Sequence, residues 1–474
     1  MKLALVSLED GLSRTPPIGL AYLATYLEKK SGIKDTVIVD NVFEDIHERL
    51  KEENPDLIGI SAMSLRYGTA IKTAREIRNY YTGQIIIGGV HISTMPESLK
   101  DVFDFAVLGE GEETLREIVE HFIKKGPLQE ETLKDIKGVA YFGNDGKVML
   151  TPPRPLVKDL DDIPWPDFKY INPNYLLPRE EVGLRMIGPC APLMTARGCP
   201  YRCVFCSTST FWDRHRNHSV DYVVGNIRYL VHDLGIKIIN ILDDMFIVNK
   251  NRLKELHAKL GQEGLLGKAT FTCNARSNHI DDEMCEILKS LNVRNLNFGF
   301  ESGSERMLKY LKVGSTSVQK NKDAIRTCKR HGLVVYGSLM FGSPGETIED
   351  MEKTLDFIRF AKKEKADYLW SFVATPFPKT EFWEVAKRRG KVRDDADWEG
   401  EDLMSHQNVE HPTLTDVSME EFRKVFGKGR SLLRGMRYRL IARFFLKNPI
   451  AVAGLFAKNI PHYVKRFYYL VFRF

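Results

Sequence analysis

The stretch Cys199-Pro200-Tyr201-Arg202-Cys203-Val204-Phe205-Cys206 places three cysteines within eight residues. Seven extended residues span at most about 25 Å, and a turned loop brings the sulfurs far closer, so one loop can aim all three at one centre. Thiolates favour soft metals: zinc, copper(I) or iron–sulfur. Three cysteines leave a four-iron cluster one iron short of a protein ligand, open to a small chelating molecule. A structural zinc site is the competing reading, with His215 or His218 as fourth ligand, since Cys203-x2-Cys206 is followed by His215-x2-His218. Cys273, Cys285 and Cys328 read as single buried or helical thiols, and Cys190 lies near the loop but outside its spacing.

Around this loop, β-branched runs alternate with helical patterns. Predicted strands are Leu193–Ala196, Lys237–Leu242, Ala269–Asn274, Asn295–Phe300, Leu333–Phe341 and Tyr368–Ala374. Helices are expected over Val220–Asp233, Arg252–Glu263, Asp281–Leu291, Val318–His331 and Thr347–Lys363. Six such units predict a partial (β/α)6 barrel with its chemistry at the strand C-terminal ends.

A second alternation occupies the first 125 residues, with apolar runs Leu3–Leu8, Thr36–Val39, Leu57–Met63, Gln84–Ile87 and Phe105–Leu108. Continuous apolar strands indicate a parallel sheet covered on both faces, an α/β doubly wound domain that binds ligands beyond its strand ends. A hairpin is expected at Val139–Phe142 and Lys147–Leu150, and the Pro- and Asp-rich stretch from Thr151 to Tyr170 reads as linker. The resulting division is 1–150, a 151–186 linker, a barrel domain at 187–385, and a helical C-terminal region at 386–474.

The chain's 474 residues exceed one compact domain, and seven cysteines at this length are no secreted disulfide framework. No run of about 18 apolar residues is present to span a membrane. With the short N-terminal apolar run, these features point to the reducing cytosol. The net charge of +6 is unevenly spread: residues 421–474 hold thirteen Lys/Arg against one acidic residue, a net +12, leaving residues 1–420 at −6. Nucleic acid is disfavoured as a partner, because no recognised binding module accompanies the basic tail. Basic and aromatic together, the tail predicts either an interfacial membrane segment on the cytoplasmic face or a helical lid on the barrel.

The Cys-x3-Cys-x2-Cys loop with Phe205 before its third cysteine resembles that of the radical S-adenosylmethionine enzymes. That resemblance implies that Cys199, Cys203 and Cys206 hold a 4Fe-4S cluster whose free iron is chelated by S-adenosylmethionine, and that reductive cleavage yields a radical able to abstract a substrate hydrogen. Flavodoxin or ferredoxin would supply the electron. Asn240–Phe246, Asn274-Ala275-Arg276, Gly299–Ser304 and Gly337–Thr347 are similar to the family's strand ends. They make Phe205, Asp243, Asp244, Arg276, Glu301 and Ser338 candidates for S-adenosylmethionine binding.

Pro16–Ala24, Gly88-Gly89-Val90-His91, Val107–Glu112 and Asp159–Pro166 resemble the subfamily in which a cobalamin domain precedes the radical barrel. Pro17, Ser64, Gly88, Gly89, Gly109 and Glu110 are the corresponding cobalamin-binding candidates. The loop Leu8–Arg14 lacks the Asp-x-His-x-x-Gly that supplies a lower axial histidine, so cobalamin is expected without one, with His91 a loop residue. Methylthiotransferases carry cluster cysteines in their N-terminal domain, and none occurs here before Cys190. The resemblance covers roughly residues 1–385. It implies C-methylation of an apolar small molecule, lipid or tetrapyrrole-like, or radical cyclisation as in the anaerobic magnesium-protoporphyrin monomethyl ester cyclase. The non-enzyme alternative is a structural zinc or iron–sulfur protein.

Overall fold

The computed structural model describes residues 1–9, 15–181, 186–394, 396, 398 and 414–447. The chain forms two compact units interleaved in sequence. The first comprises 1–175, 197–222 and 375–414; the second comprises 176–196, 223–374 and 415–474. The segment carrying the three cysteines therefore folds with the N-terminal unit.

The first unit is built on a seven-stranded sheet: β1 Leu3–Ser7, β2 Thr36–Asp40, β3 Leu57–Ser61, β4 Gln84–Gly88, β5 Phe105–Val107, β6 Val139–Phe142 and β7 Val148–Leu150. The order is 2-1-3-4-5-6-7, with β1–β5 parallel and the expected hairpin β6–β7 added antiparallel at the edge. Order reverses between β1 and β3, the switch point where such sheets open a crevice beyond their carboxyl ends. One face packs Leu3, Leu5, Leu57, Ile86 and Phe105 under Leu20, Ala24 and Leu27 of helix Ile18–Ser31 and Leu115, Ile118 and Val119 of helix Gly111–Lys125. Burying each such side chain contributes about 1.5–3 kcal/mol.

The expected linker is irregular but anchored. Leu160, Ile163, Phe168, Ile171 and Tyr175 are buried, the Asp167 amide donates to Thr25 Oγ1 (2.8 Å), and the Tyr175 hydroxyl bonds Asp40. Prolines remove regular ladders without preventing burial of the apolar residues between them.

The second unit holds six parallel strands in sequential order: β8 Cys190–Leu193, β9 Ile238–Ile241, β10 Thr270–Ala275, β11 Val293–Glu301, β12 Val334–Phe341 and β13 Tyr368–Val373. The first and last strands are edges, so the barrel is partial. Its first strand begins three residues earlier than the pattern suggested, and Cys190 is its first residue. Buried there, the Cys190 sulfur accepts from Asn240 Nδ2 (3.2 Å), a packing role.

Helix Met419–Lys447 lies in the same unit. Phe422, Val425, Phe426, Leu433, Met436, Leu440 and Phe444 are buried, at the three-to-four spacing of one helix face. It packs on helix Ile348–Lys363 and on β13. This half of the tail is thus a helix docked beside the last barrel strand, while 448–474 lies outside the described residues. Among the described residues, no helix is long and apolar enough to cross a membrane.

Candidate active site

The cysteine loop is braced at both ends within the first unit. Glu110 accepts from Arg197 Nη1 (2.7 Å), Arg216 Nη2 (2.9 Å) and Nη1 (3.1 Å), and the Val157 amide (2.7 Å). Arg197 Nη2 reaches Glu112 at 2.5 Å. Burial alone would raise the Glu110 carboxyl, but the Arg216 hydrogen bond and the Arg197 charge outweigh it and hold it below the usual carboxylate range. Both Glu110 oxygens are thus engaged by protein partners.

Gly198 has φ +82°, and a Cβ there would lie 2.7 Å from the Arg214 carbonyl, so only glycine closes this turn. Within the loop, the Cys206 amide donates to the Cys203 carbonyl (3.1 Å) and Arg202 spans to the carbonyls of Ser209 and Asp213. The Val204 carbonyl accepts from the Glu381 amide, and Phe205 packs on Phe382 with ring centroids 6.1 Å apart. All three cysteines are half-buried.

These thiols fit a cluster better than zinc. Zinc demands four ligands converging on one ion, and the loop itself supplies three. Of the two histidines expected as a fourth ligand, His218 is buried, bonds Asp161 through Nδ1 (3.2 Å) and stacks on Tyr222 at 3.8 Å. Three soft donors on one loop match a cubane, whose corners spread them apart.

The helix that follows Cys206, Thr208–Phe211, packs on helix Val90–Thr94, which follows β4. The cysteine loop therefore stands beside the carboxyl edge of the parallel sheet. That edge carries Ser64, Gly88, Gly89 and Gly109. Gly89 has φ +100° with the Ala62 carbonyl 2.7 Å from any Cβ, and Gly109, at φ +74°, has open space where its side chain would be. Backbone left bare this way suits close approach of a large planar ligand. Pro17 sits half-buried at the start of helix Ile18–Ser31. His91 lies in a short helix rather than a loop. It is fully buried, with its ring nitrogens 3.1 Å from Ser64 Oγ and Ser98 Oγ and its face on Tyr67; burial pushes its pKa down to about 3. Both nitrogens being engaged, neither is placed to ligate cobalt.

In the second unit, the candidate residues cluster at strand ends. Asp243 is buried and accepts from the amides of Thr195 (2.6 Å) and Ala196 (3.1 Å) and from the Thr195 hydroxyl, so it clamps β8 to β9. Burial raises its pKa to about 6. Asp244 is exposed. Arg276 and Glu301 are brought together through one loop: Arg276 bonds Ser315, Ser315 bonds the Lys312 carbonyl, and Lys312 Nζ pairs with Glu301 at 2.9 Å. Glu301 has φ +61°, a left-handed conformation at a strand end. Ser338, half-buried, is 3.5 Å from the Phe298 carbonyl. Glu346, absent from the candidates, is buried. It accepts from the amides of Gly342 (2.6 Å) and Ser343 (3.1 Å), yet burial raises it to about 8.

A partial barrel, a three-cysteine loop and a glycine-lined doubly wound sheet in one chain define a radical enzyme with a second, corrinoid-type domain. Comparison with known proteins agrees. Residues 193–358 match the radical SAM superfamily and residues 8–119 the B12 binding domain. The uncharacterized methyltransferase PH0819 of Pyrococcus horikoshii is 37% identical over 378 residues, 78% of each chain. The anaerobic magnesium-protoporphyrin IX monomethyl ester cyclase of Cereibacter sphaeroides is 26% identical, covering 87% of this chain and 67% of that protein. The methyltransferase TsrM of Kitasatospora setae, solved with cobalamin and a [4Fe-4S] cluster bound, shares the fold: TM-score 0.65, 22% identity, 83% of this chain and 76% of that one. The chain belongs to the cobalamin-dependent radical S-adenosylmethionine enzyme family, whose cofactors are the 4Fe-4S cluster, S-adenosylmethionine and cobalamin.

Proposed function

We propose that this enzyme methylates an unactivated carbon of an apolar small molecule of the lipid or tetrapyrrole class. The observation that carries the reading is the packing of Thr208–Phe211, directly after the cysteine loop, on Val90–Thr94 at the cobalamin-type sheet edge. A radical generator and a methyl carrier would then share one unit. When bound, the cluster with S-adenosylmethionine supplies hydrogen abstraction and cobalamin supplies a methyl group.

The chain's own residues do the rest. Cys199, Cys203 and Cys206 would hold three irons, and Phe205 would border S-adenosylmethionine. Arg276, Glu301 and Ser338, with Asp244 at the rim, would contact its polar groups, while Asp243 orients the strand leading to the loop. Ser64, Gly88, Gly89 and Gly109, with Pro17 beside them, would line the corrin face, with no histidine donated to cobalt. A flavodoxin or ferredoxin would deliver the electron in the cytoplasm, and residues 448–474 would contact an anionic membrane surface where an apolar substrate resides.

The test is anaerobic reconstitution followed by incubation with S-adenosylmethionine labelled in its methyl group and lipid or tetrapyrrole extracts. About four irons per chain, 5′-deoxyadenosine release and label in an extracted product support the proposal. Deoxyadenosine release with no label transfer rejects methylation. The similarity to the cyclase favours a second reading, radical cyclisation, recognised by product that loses hydrogen without gaining carbon. Equal vesicle flotation with and without residues 448–474 rejects the membrane contact.

A further inference from the structure

Four charged side chains, Glu110, Glu112, Arg197 and Arg216, are all at least nine-tenths buried in the first unit. Burying ions is costly, and a well-packed apolar substitute is often neutral or stabilising, so such a network is better explained by what it orients than by what it stabilises. Its geometry is specific. The two arginines stand at the two ends of the 197–216 segment that contains all three loop cysteines, and both converge on one carboxylate. Trp212, from the same segment, lies under both guanidiniums, 5.9 Å from Arg197 and 5.5 Å from Arg216. Glu110 itself follows Gly109 after β5 and immediately precedes helix Gly111–Lys125, so it belongs to the rigid sheet edge.

We propose that Glu110 is a positioning residue: by closing the 197–216 segment onto the sheet edge through Arg197 and Arg216, it sets where the cysteine loop stands relative to the cobalamin-binding loops. Closing a flexible segment at both ends removes most of its freedom, and a bidentate Arg–carboxylate pair fixes orientation as well as distance. Lysine at 216 would keep the charge but lose the fork. The inference rests on the reading of Cys199, Cys203 and Cys206 as cluster ligands.

The test compares the full-length wild type with Glu110→Gln, Arg216→Ala and Arg216→Lys, prepared anaerobically. Hydrogen exchange is read by mass spectrometry across 197–216, and the reduced cluster by electron paramagnetic resonance. Glu110→Gln and Arg216→Ala should speed exchange in that segment about tenfold or more and broaden the cluster signal. The strands Leu57–Ser61 and Gln84–Gly88 should keep their protection, and Arg216→Lys should fall between wild type and Arg216→Ala. Unchanged exchange and an unchanged signal in folded Glu110→Gln overturn the proposal. Protection lost throughout the unit in every variant, Arg216→Lys included, also overturns it, because the network would then serve stability alone. A wild type that takes up no iron refutes the cluster reading, while the exchange data still judge the clasp.

Discussion

Glu346 and Cys203 mark two opposite uses of a single side chain. Glu346 sits where burial outweighs two backbone hydrogen bonds, so its folded pKa of about 8 exceeds its unfolded value of 4.5. Between those values the folded state binds more protons than the unfolded one, so stability from this group is full below about pH 4.5 and is lost as pH rises toward 8. The slope reaches about 1.4 kcal/mol per pH unit. Glu346→Gln should remove that loss, and chemical denaturation at pH 6 and pH 8 should differ less in the variant than in wild type; equal differences would show a carboxyl that ionises freely. Cys203 is proposed as a cluster ligand. Cys203→Ala should lower bound iron from about four per chain to near zero and abolish 5′-deoxyadenosine release; iron retained at full stoichiometry would place the cluster elsewhere. Among the remaining cysteines, Cys285 and Cys328 are buried helical thiols, as their spacing suggested. They lie on helices Asp282–Ser290 and Val318–Arg330.

Strands and helices explain why so much was legible at the element scale. Continuous apolar runs such as Ile58–Ile60 and Ile85–Ile87 admit little but a two-sided buried strand, and they form one. Turn chemistry at Asn144-Asp145-Gly146 likewise specified the hairpin, with Gly146 at φ +74°. Capping sets a boundary at helix Ile46–Glu53, which begins where the Asp45 side chain accepts from the His47 and Glu48 amides. Gly89→Ala should combine backbone strain of about 1–3 kcal/mol with a clash on the Ala62 carbonyl. The result should be faster cobalamin loss on gel filtration, and retention equal to wild type would remove Gly89 from the corrin-facing loops. At the other end of the chain, Phe422 is fully buried and stacks on Phe426 at 5.6 Å. Phe422→Ala should cost about 3–5 kcal/mol and lower the urea midpoint; no change would mean the helix is not docked.

At the scale of the whole molecule, two cofactor domains in one chain make a spectroscopic prediction. Because both His91 nitrogens are engaged by serines and the Leu8–Arg14 loop lacks a histidine, cob(II)alamin bound to this chain should show no nitrogen splitting from a protein ligand in its paramagnetic spectrum. His91→Ala should leave that spectrum unchanged. A nitrogen splitting that disappears in the variant would make His91 a ligand after all.

Local patterning was enough for the family, the strands of the two main sheets and the cysteine motif, since periodicity, turn residues and motif spacing are all written within short windows. Long-range pairing was not. That Glu110 closes a segment ending 106 residues away, that Asp243 clamps the strand before it, and that the cysteine loop folds with the N-terminal sheet rather than the barrel depend on which distant groups burial forces to meet. A buried charge takes whatever counter-charge the fold delivers, and no window of sequence names it.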